Sequence, residues 1–114
     1  MQIHQSAEDY LETILMLSQR MGRVRSIDVV NELGYTKASV SIAMKKLREN
    51  GYIAVDGEGN LTLLEPGREI AERIYSRHRL LTHFFVQLGV EEDIAAEDAC
   101  KAEHILSEQT LEKI

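Results

Sequence analysis

The sequence predicts a mainly α-helical fold with one small β-hairpin, and three observations predict it. Apolar residues recur at helical spacing along most of the 114 residues. The period changes to two only once, between Gly51 and Leu64. Glycines stand where the helical patterns stop, at Gly22, Gly34, Gly51 and Gly89. The length suits one compact domain or two very small ones and excludes a large multi-domain enzyme. With 44% hydrophobic and 28% charged residues and a single Pro, the chain is neither a disordered tail nor a linker.

The first helix is expected from about Ala7 to Met21, with Ser6 and Asp9 as a capping signal and Tyr10, Ile14, Leu17 and Met21 on its apolar stripe. Gly22 stops it. Ser26 caps a two-turn helix through Ile27, Val30 and Leu33 to Gly34, whose missing side chain permits a tight turn. Thr36 caps a third helix running to Asn50, with Val40, Ala43, Met44 and Leu47 facing inward and Gly51 as its exit. Helix, short turn and helix in this order form a helix-turn-helix.

Tyr52–Val55 and Leu61–Leu64 then flank Asp56-Gly57-Glu58-Gly59-Asn60, as two strands around a tight loop should, and this hairpin supplies a wing. Pro66 suits the first turn of a long helix, about residues 66–88, whose buried stripe is Ile70, Ile74, Leu81, Phe85 and Leu88. A fifth helix is expected from Glu91 to His104, its acidic start favoured by the helix dipole, and a sixth is capped by Ser107. The expected organisation is a winged helix-turn-helix domain at 1–70 followed by a helical domain at 71–114.

No apolar run approaches the roughly 20 residues a spanning helix needs, so no membrane anchor is expected. The start Met1-Gln2-Ile3-His4-Gln5 lacks a basic stretch and an apolar signal core, which predicts a cytoplasmic protein. Cys100 is the only cysteine, so neither an intrachain disulfide nor a zinc finger built on cysteine pairs can form.

The net charge of −6 argues against nucleic acid until its distribution is considered. From Arg20 to Arg48 the bases Arg20, Arg23, Arg25, Lys37, Lys45, Lys46 and Arg48 face only Asp28 and Glu32, a local balance of +5 that leaves −11 elsewhere. A basic segment joined to an acidic one predicts two jobs, one toward an anion and one toward a cation or a partner. On the third helix the outward face carries Lys37, Ala38, Ser39, Ser41, Ile42, Lys45 and Lys46. Hydroxyls can bond base edges or phosphates, Ala38 and Ile42 can touch thymine methyls, and lysines can hold phosphates. A solvated basic face is the plain alternative, and the short helix before it and the wing after it favour DNA. The wing itself carries Asp56 and Glu58 and no base, which weakens any grip of its tip on phosphate.

Cys100, Glu103 and His104 stand at i, i+3 and i+4 of the fifth helix and project from one face, where thiolate, carboxylate and imidazole can converge on a divalent ion. Alone, that string is an ordinary surface pattern. Asp9 and Glu12 put two further carboxylates on one flank of the first helix, and His78 lies within the apolar stripe of the long helix. A lone histidine there is more often a hydrogen-bonded core residue. Three helices offering such groups together predict a metal site. His4, His83, Glu97 and Asp98 remain outer candidates that read more simply as surface residues.

The chain resembles the diphtheria toxin repressor family of metal-dependent winged-helix regulators, including its manganese transport regulator branch. The resemblance is carried by Ala7-Glu8-Asp9-Tyr10-Leu11-Glu12-Thr13-Ile14, Ser39-Val40-Ser41, Arg77-His78-Arg79-Leu80-Leu81 and Asp98-Ala99-Cys100-Lys101-Ala102-Glu103-His104, in matching order over essentially the whole chain. It implies a non-enzymatic repressor of metal-uptake genes switched on by Mn²⁺ or Fe²⁺, with Asp9, Glu12, His78, Cys100, Glu103 and His104 at ligand positions. Manganese-type members have Asp and Glu at positions 9 and 12 but typically Glu at position 100. Iron-type members have the cysteine and a methionine at position 9. The carboxylates lean toward Mn²⁺, and the thiolate admits Zn²⁺ or Co²⁺ in vitro. The resemblance also implies a homodimer built by Phe84, Leu88 and residues 91–114, bound to a palindromic double-stranded operator, in a short form without the SH3-like domain of longer members. Two other readings compete: a winged-helix DNA-binding regulator that does not sense metal, and an enzyme using Cys100 with His104, which lacks any evident oxyanion donor.

Overall fold

The computed structural model describes residues 5–114, which contain six helices and one two-stranded sheet. They form two compact units, the first ending at Glu72 and the second spanning Arg73–Ile114. The division falls inside a helix, two residues beyond the boundary read from the sequence.

In the first unit, α1 (Gln5–Met21) packs on α2 (Ser26–Leu33), α3 (Lys37–Glu49) and β2 (Leu61–Leu63), while α3 also supports β1 (Ile53–Val55). Leu11, Ile14, Val24, Val29, Val40 and Ile53 are almost fully enclosed, joined by Tyr10, Leu17, Met44, Leu47 and Leu63. Each such side chain contributes about 1.5–3 kcal/mol relative to exposure, against the entropy of ordering it. The helix starts differ from expectation in two places. Ser6 lies within α1, which already includes Gln5, so it is not the N-cap of that helix. Arg25, not Ser26, is the N-cap of α2, and its extended backbone amide donates to Asp28 Oδ2 at 2.9 Å. Thr36 caps α3 as expected, its hydroxyl accepting from Ser39 N at 3.1 Å. Gly34 closes α2 at φ 71°, a left-handed conformation that glycine adopts without a Cβ penalty. The stripe on α2 centres on Val29 and leaves Ile27 43% exposed, and Met21, the last residue of α1, is half exposed.

The hairpin is antiparallel, with Ile53 opposite Leu63 and Val55 opposite Leu61. It is anchored at its far end by Leu61 N, which donates to Val24 O at 2.7 Å, and by a bridge between Arg25 and Asn60. The segment preceding α2 is thereby tied to the start of β2. The first turn of α4 (Glu65–Gln87) places Gly67 hard against the Tyr52 carbonyl, where only a hydrogen fits in place of a side chain.

In the second unit, the later part of α4, α5 (Glu92–Ala102) and α6 (Glu108–Lys113) meet at Leu81, Ala99 and Leu111, with Phe85, Ala102 and Leu106 packed around them. Ser107 caps α6 by accepting from Thr110 N at 3.2 Å. Leu88 lies beyond the end of α4 and is 67% exposed, not part of the buried stripe.

Candidate metal centre and DNA-facing surface

Helix α5 ends one residue before Glu103, which is its C-cap with an αR backbone. Four residues after Ala99 and eight after Ala95, Glu103 falls on the buried line of α5, and its side chain is fully enclosed. Its two carboxylate oxygens face two imidazoles: His78 Nδ1 lies 3.2 Å from Oε2 and His104 Nε2 lies 3.4 Å from Oε1. Neither oxygen of Glu103 has a hydrogen bond among the described residues. A buried carboxylate without hydrogen bonds carries a large desolvation penalty, and a cation held between carboxylate and imidazoles removes it. This donor set, one hard oxygen ligand and two borderline nitrogens, fits a divalent first-row ion.

The surrounding second unit fixes the cluster. Arg77 reaches the Glu103 carbonyl with Nη1 at 3.5 Å and the Glu108 carboxylate with Nη2 at 3.7 Å, so α4 is linked to the end of α5 and to α6. The Thr82 hydroxyl donates to the His78 carbonyl at 2.7 Å. Arg77 carried no signal beyond lying beside His78 in the sequence.

The other predicted ligands are placed as follows. Asp9 and Glu12 lie one turn apart on α1, Asp9 half-buried and Glu12 buried. Burial, with Tyr35 and Asp9 adding, raises the Tyr10 phenol above its ordinary value, and Tyr10 meets the Tyr35 ring edge-on at 5.9 Å. Cys100 is exposed, whereas Glu103 is enclosed, so the expected common face of α5 is divided by burial. Glu103 keeps helical geometry and continues the buried line of Ala95 and Ala99 at four-residue spacing, whereas Cys100 lies off that line. Among the outer candidates, Glu97 pairs with Lys101 at 3.6 Å, His83 and Asp98 are exposed, and His4 lies outside the described residues.

On the first unit, Lys37, Ala38, Ser39, Ser41, Ile42, Lys45 and Lys46 are all exposed on α3, while Val40, Met44 and Leu47 are buried. The wing loop is organised by Asp56, whose carboxylate accepts from Glu58 N at 2.9 Å, Asn60 N at 2.9 Å and Asn60 Nδ2 at 3.0 Å. The bonds from Asn60 above all hold the Asp56 carboxyl below the ordinary range. The Arg25 guanidinium donates to the Glu58 carbonyl and lies against Gly59, so the wing does carry a base, supplied by the segment before α2. Sequence spacing could not reveal this, since the two residues are 33 positions apart.

A winged helix-turn-helix with an exposed basic reading face, together with a helical unit enclosing a carboxylate between imidazoles, defines a metal-dependent DNA-binding regulator. Comparison with known proteins agrees. Residues 2–61 match the family described as iron dependent repressor, N-terminal DNA binding domain, and residues 64–114 match iron dependent repressor, metal binding and dimerisation domain. The chain belongs to the iron dependent repressor family, as its resemblance to the diphtheria toxin repressor regulators implies. It is similar to an HTH-type transcriptional regulator of Methanocaldococcus jannaschii, 36% identical over 112 residues that cover 96% of this chain and 90% of that one. It is likewise 32% identical to the HTH-type transcriptional regulator MntR of Lysinibacillus sphaericus over 109 residues, covering 96% of this chain and 78% of the relative. Among solved structures it is similar to a manganese-dependent transcriptional repressor in complex with manganese, with a TM-score of 0.84 and 30% identity over 94% of this chain. The present chain spans 50% of that solved chain. Among the described residues no helix is long and apolar enough to cross a membrane.

Proposed function

We propose that this protein is a cytoplasmic homodimeric repressor that binds palindromic operator DNA when loaded with Mn²⁺ or Fe²⁺ and so restrains metal-uptake genes. The single observation that carries the metal reading is the enclosed Glu103 carboxylate facing His78 and His104 without a hydrogen bond. The proposed ligands are Asp9, Glu12, His78, Cys100, Glu103 and His104. When bound, the ion supplies positive charge that neutralises these carboxylates and fixes their side chains. With those carboxylates neutralised, operator affinity is expected to depend on the ion. The MntR relatives and the manganese complex support Mn²⁺. The domain roles follow the two family matches, with residues 1–70 reading DNA and 71–114 binding metal and dimerising. Exposed Phe84, Leu88, Ile94 and Ile105 offer the second unit an apolar surface suited to pairing.

The decisive experiment is duplex binding by apo-protein, with and without Mn²⁺, at one stated salt concentration. Affinity is expected to rise with the ion and to fall again with chelator. Equal affinity in both conditions favours the regulator that does not sense metal.

The thiol at position 100 gives a second expectation. Zn²⁺ and Co²⁺ gain from a thiolate, while Mn²⁺ gains less and favours oxygen. Cys100→Glu should therefore raise the ratio of Mn²⁺ to Zn²⁺ affinity, measured by competition with a chelating dye. An unchanged ratio removes Cys100 from the ligand set.

A further inference from the structure

Between the first turn of α2, the outer stripe of α3 and strand β1, the first unit holds a notch of about 260 Å³ lined by Ser26, Ser41, Met44, Lys45, Arg48 and Val55. Ser41, Lys45 and Arg48 stand at i, i+4 and i+7 of α3, so hydroxyl, ammonium and guanidinium form one row along its side. Ser26 adds a second hydroxyl from another element. Met44 is buried, which gives the notch a fixed apolar floor. No carboxylate lines it, and among the described residues neither Lys45 nor Arg48 enters an ion pair. Two cations and two hydroxyl donors without an acid are complementary to an anion that presents several acceptor oxygens.

We propose that this notch seats a phosphate of the DNA backbone beside the groove entered by α3, and that Arg48 and Ser26 hold it together with Ser41 and Lys45. The proposal rests on the DNA-binding reading and adds two contacts to it. A phosphodiester fits because the guanidinium fork can pair with two of its oxygens while the hydroxyls donate to them and Lys45 acts as a point charge. The DNA backbone is favoured over a free anion by continuity: Ser41 and Lys45 belong both to the notch and to the exposed face of α3. A phosphate held there fixes the register of α3 without reading sequence.

The test compares Mn²⁺-loaded wild type with Arg48→Gln and Ser26→Ala on an operator duplex and on a random duplex between 50 and 200 mM salt. Losing one phosphate contact lowers the salt slope by about 0.9, so the advantage of wild type over Arg48→Gln should shrink roughly three- to fourfold across that range, equally on both duplexes. Duplexes carrying single methylphosphonates provide the sharper readout. At one position per half-site, wild type should lose affinity while Arg48→Gln loses none further, because the contact is already absent. Mn²⁺ affinity, measured without DNA, should be the same in wild type and variants. Unchanged slope and equal methylphosphonate effects in wild type and Arg48→Gln overturn the seat while leaving metal-dependent DNA binding intact. Failure of wild type to bind any duplex with or without Mn²⁺ overturns the repressor reading and the seat together. Inorganic phosphate that binds wild type and not Arg48→Gln, with DNA affinity equal in the two, reassigns the notch to a free anion and overturns the proposal.

Discussion

Replacing Glu103 with glutamine is expected to remove most of the protection that Mn²⁺ gives the fold while leaving the apo-protein at least as stable as wild type. The two effects have opposite signs because the same carboxylate acts differently in the two states. Without an ion, a fully enclosed carboxylate pays desolvation with no hydrogen bond to offset it, and the isosteric neutral amide relieves that cost. With an ion, the carboxylate is the anionic member of the cluster with His78 and His104. Loss even of a residue that only supports a ligand typically costs 10–100-fold in metal affinity, so about 100-fold is a modest expectation for a ligand itself. At a Mn²⁺ concentration about 100 times the wild-type Kd, ligand stabilisation is about 2.7 kcal/mol, and a 100-fold weaker site leaves about 0.4 kcal/mol. Thermal unfolding of both proteins with and without Mn²⁺ reads this directly. Equal Mn²⁺ protection of the variant excludes Glu103 as a ligand, and a destabilised apo variant shows that the carboxylate has another, structural partner.

The largest expected effect on folding comes from Gly67→Ala. A Cβ there would overlap the Tyr52 carbonyl oxygen and lie 3.0 Å from its carbon, with Leu11 Cδ2 at 3.4 Å. The obstruction is backbone, and that carbonyl already accepts from Leu64 N at 3.0 Å, so it cannot withdraw without opening the hairpin. Helix propensity pulls the other way, since alanine is favoured over glycine by about 1 kcal/mol inside a helix. Overpacking against a fixed neighbour costs about 1–3 kcal/mol and more where backbone must move, so a net loss is expected. Gly57→Ala is the control, because a Cβ at Gly57 meets nothing within 4 Å. Urea unfolding should separate the two variants, and equal midpoints would contradict the close approach of α4 to the wing.

The architecture was legible in the sequence because its signals are local. Thr36 caps α3, Ser107 caps α6, Gly34 takes the left-handed turn, and the switch of period after Gly51 marks the hairpin. What escaped depends on distant parts of the chain. Arg25 reads as one basic residue among seven, and only folding brings it to the wing loop as the N-cap of α2. The i, i+3, i+4 rule puts Cys100, Glu103 and His104 on one side of α5 but does not say which of them meets the core. Glu103 stays helical, its N–H donating to Ala99 O at 2.9 Å, and shares the buried line of Ala95 and Ala99, while Cys100 stands off that line at the surface. Leu88 and Ile27 fit their stripes by spacing and are exposed, because helix termini leave the packed face first.

The exposed setting of Cys100 also bears on how such a protein diversifies. A substitution at an enclosed position such as Glu103 alters the packed interior together with any ion held there. Position 100 is different: replacements at exposed sites usually change stability by no more than about 0.5 kcal/mol. Under the proposed ligand set, one codon change there alters the softness of the donor set while Ala95 and Ala99 keep α5 seated. Ion preference can then drift between lineages at almost no cost to foldability, and a stable scaffold can be retuned to whichever metal is scarce in a given habitat.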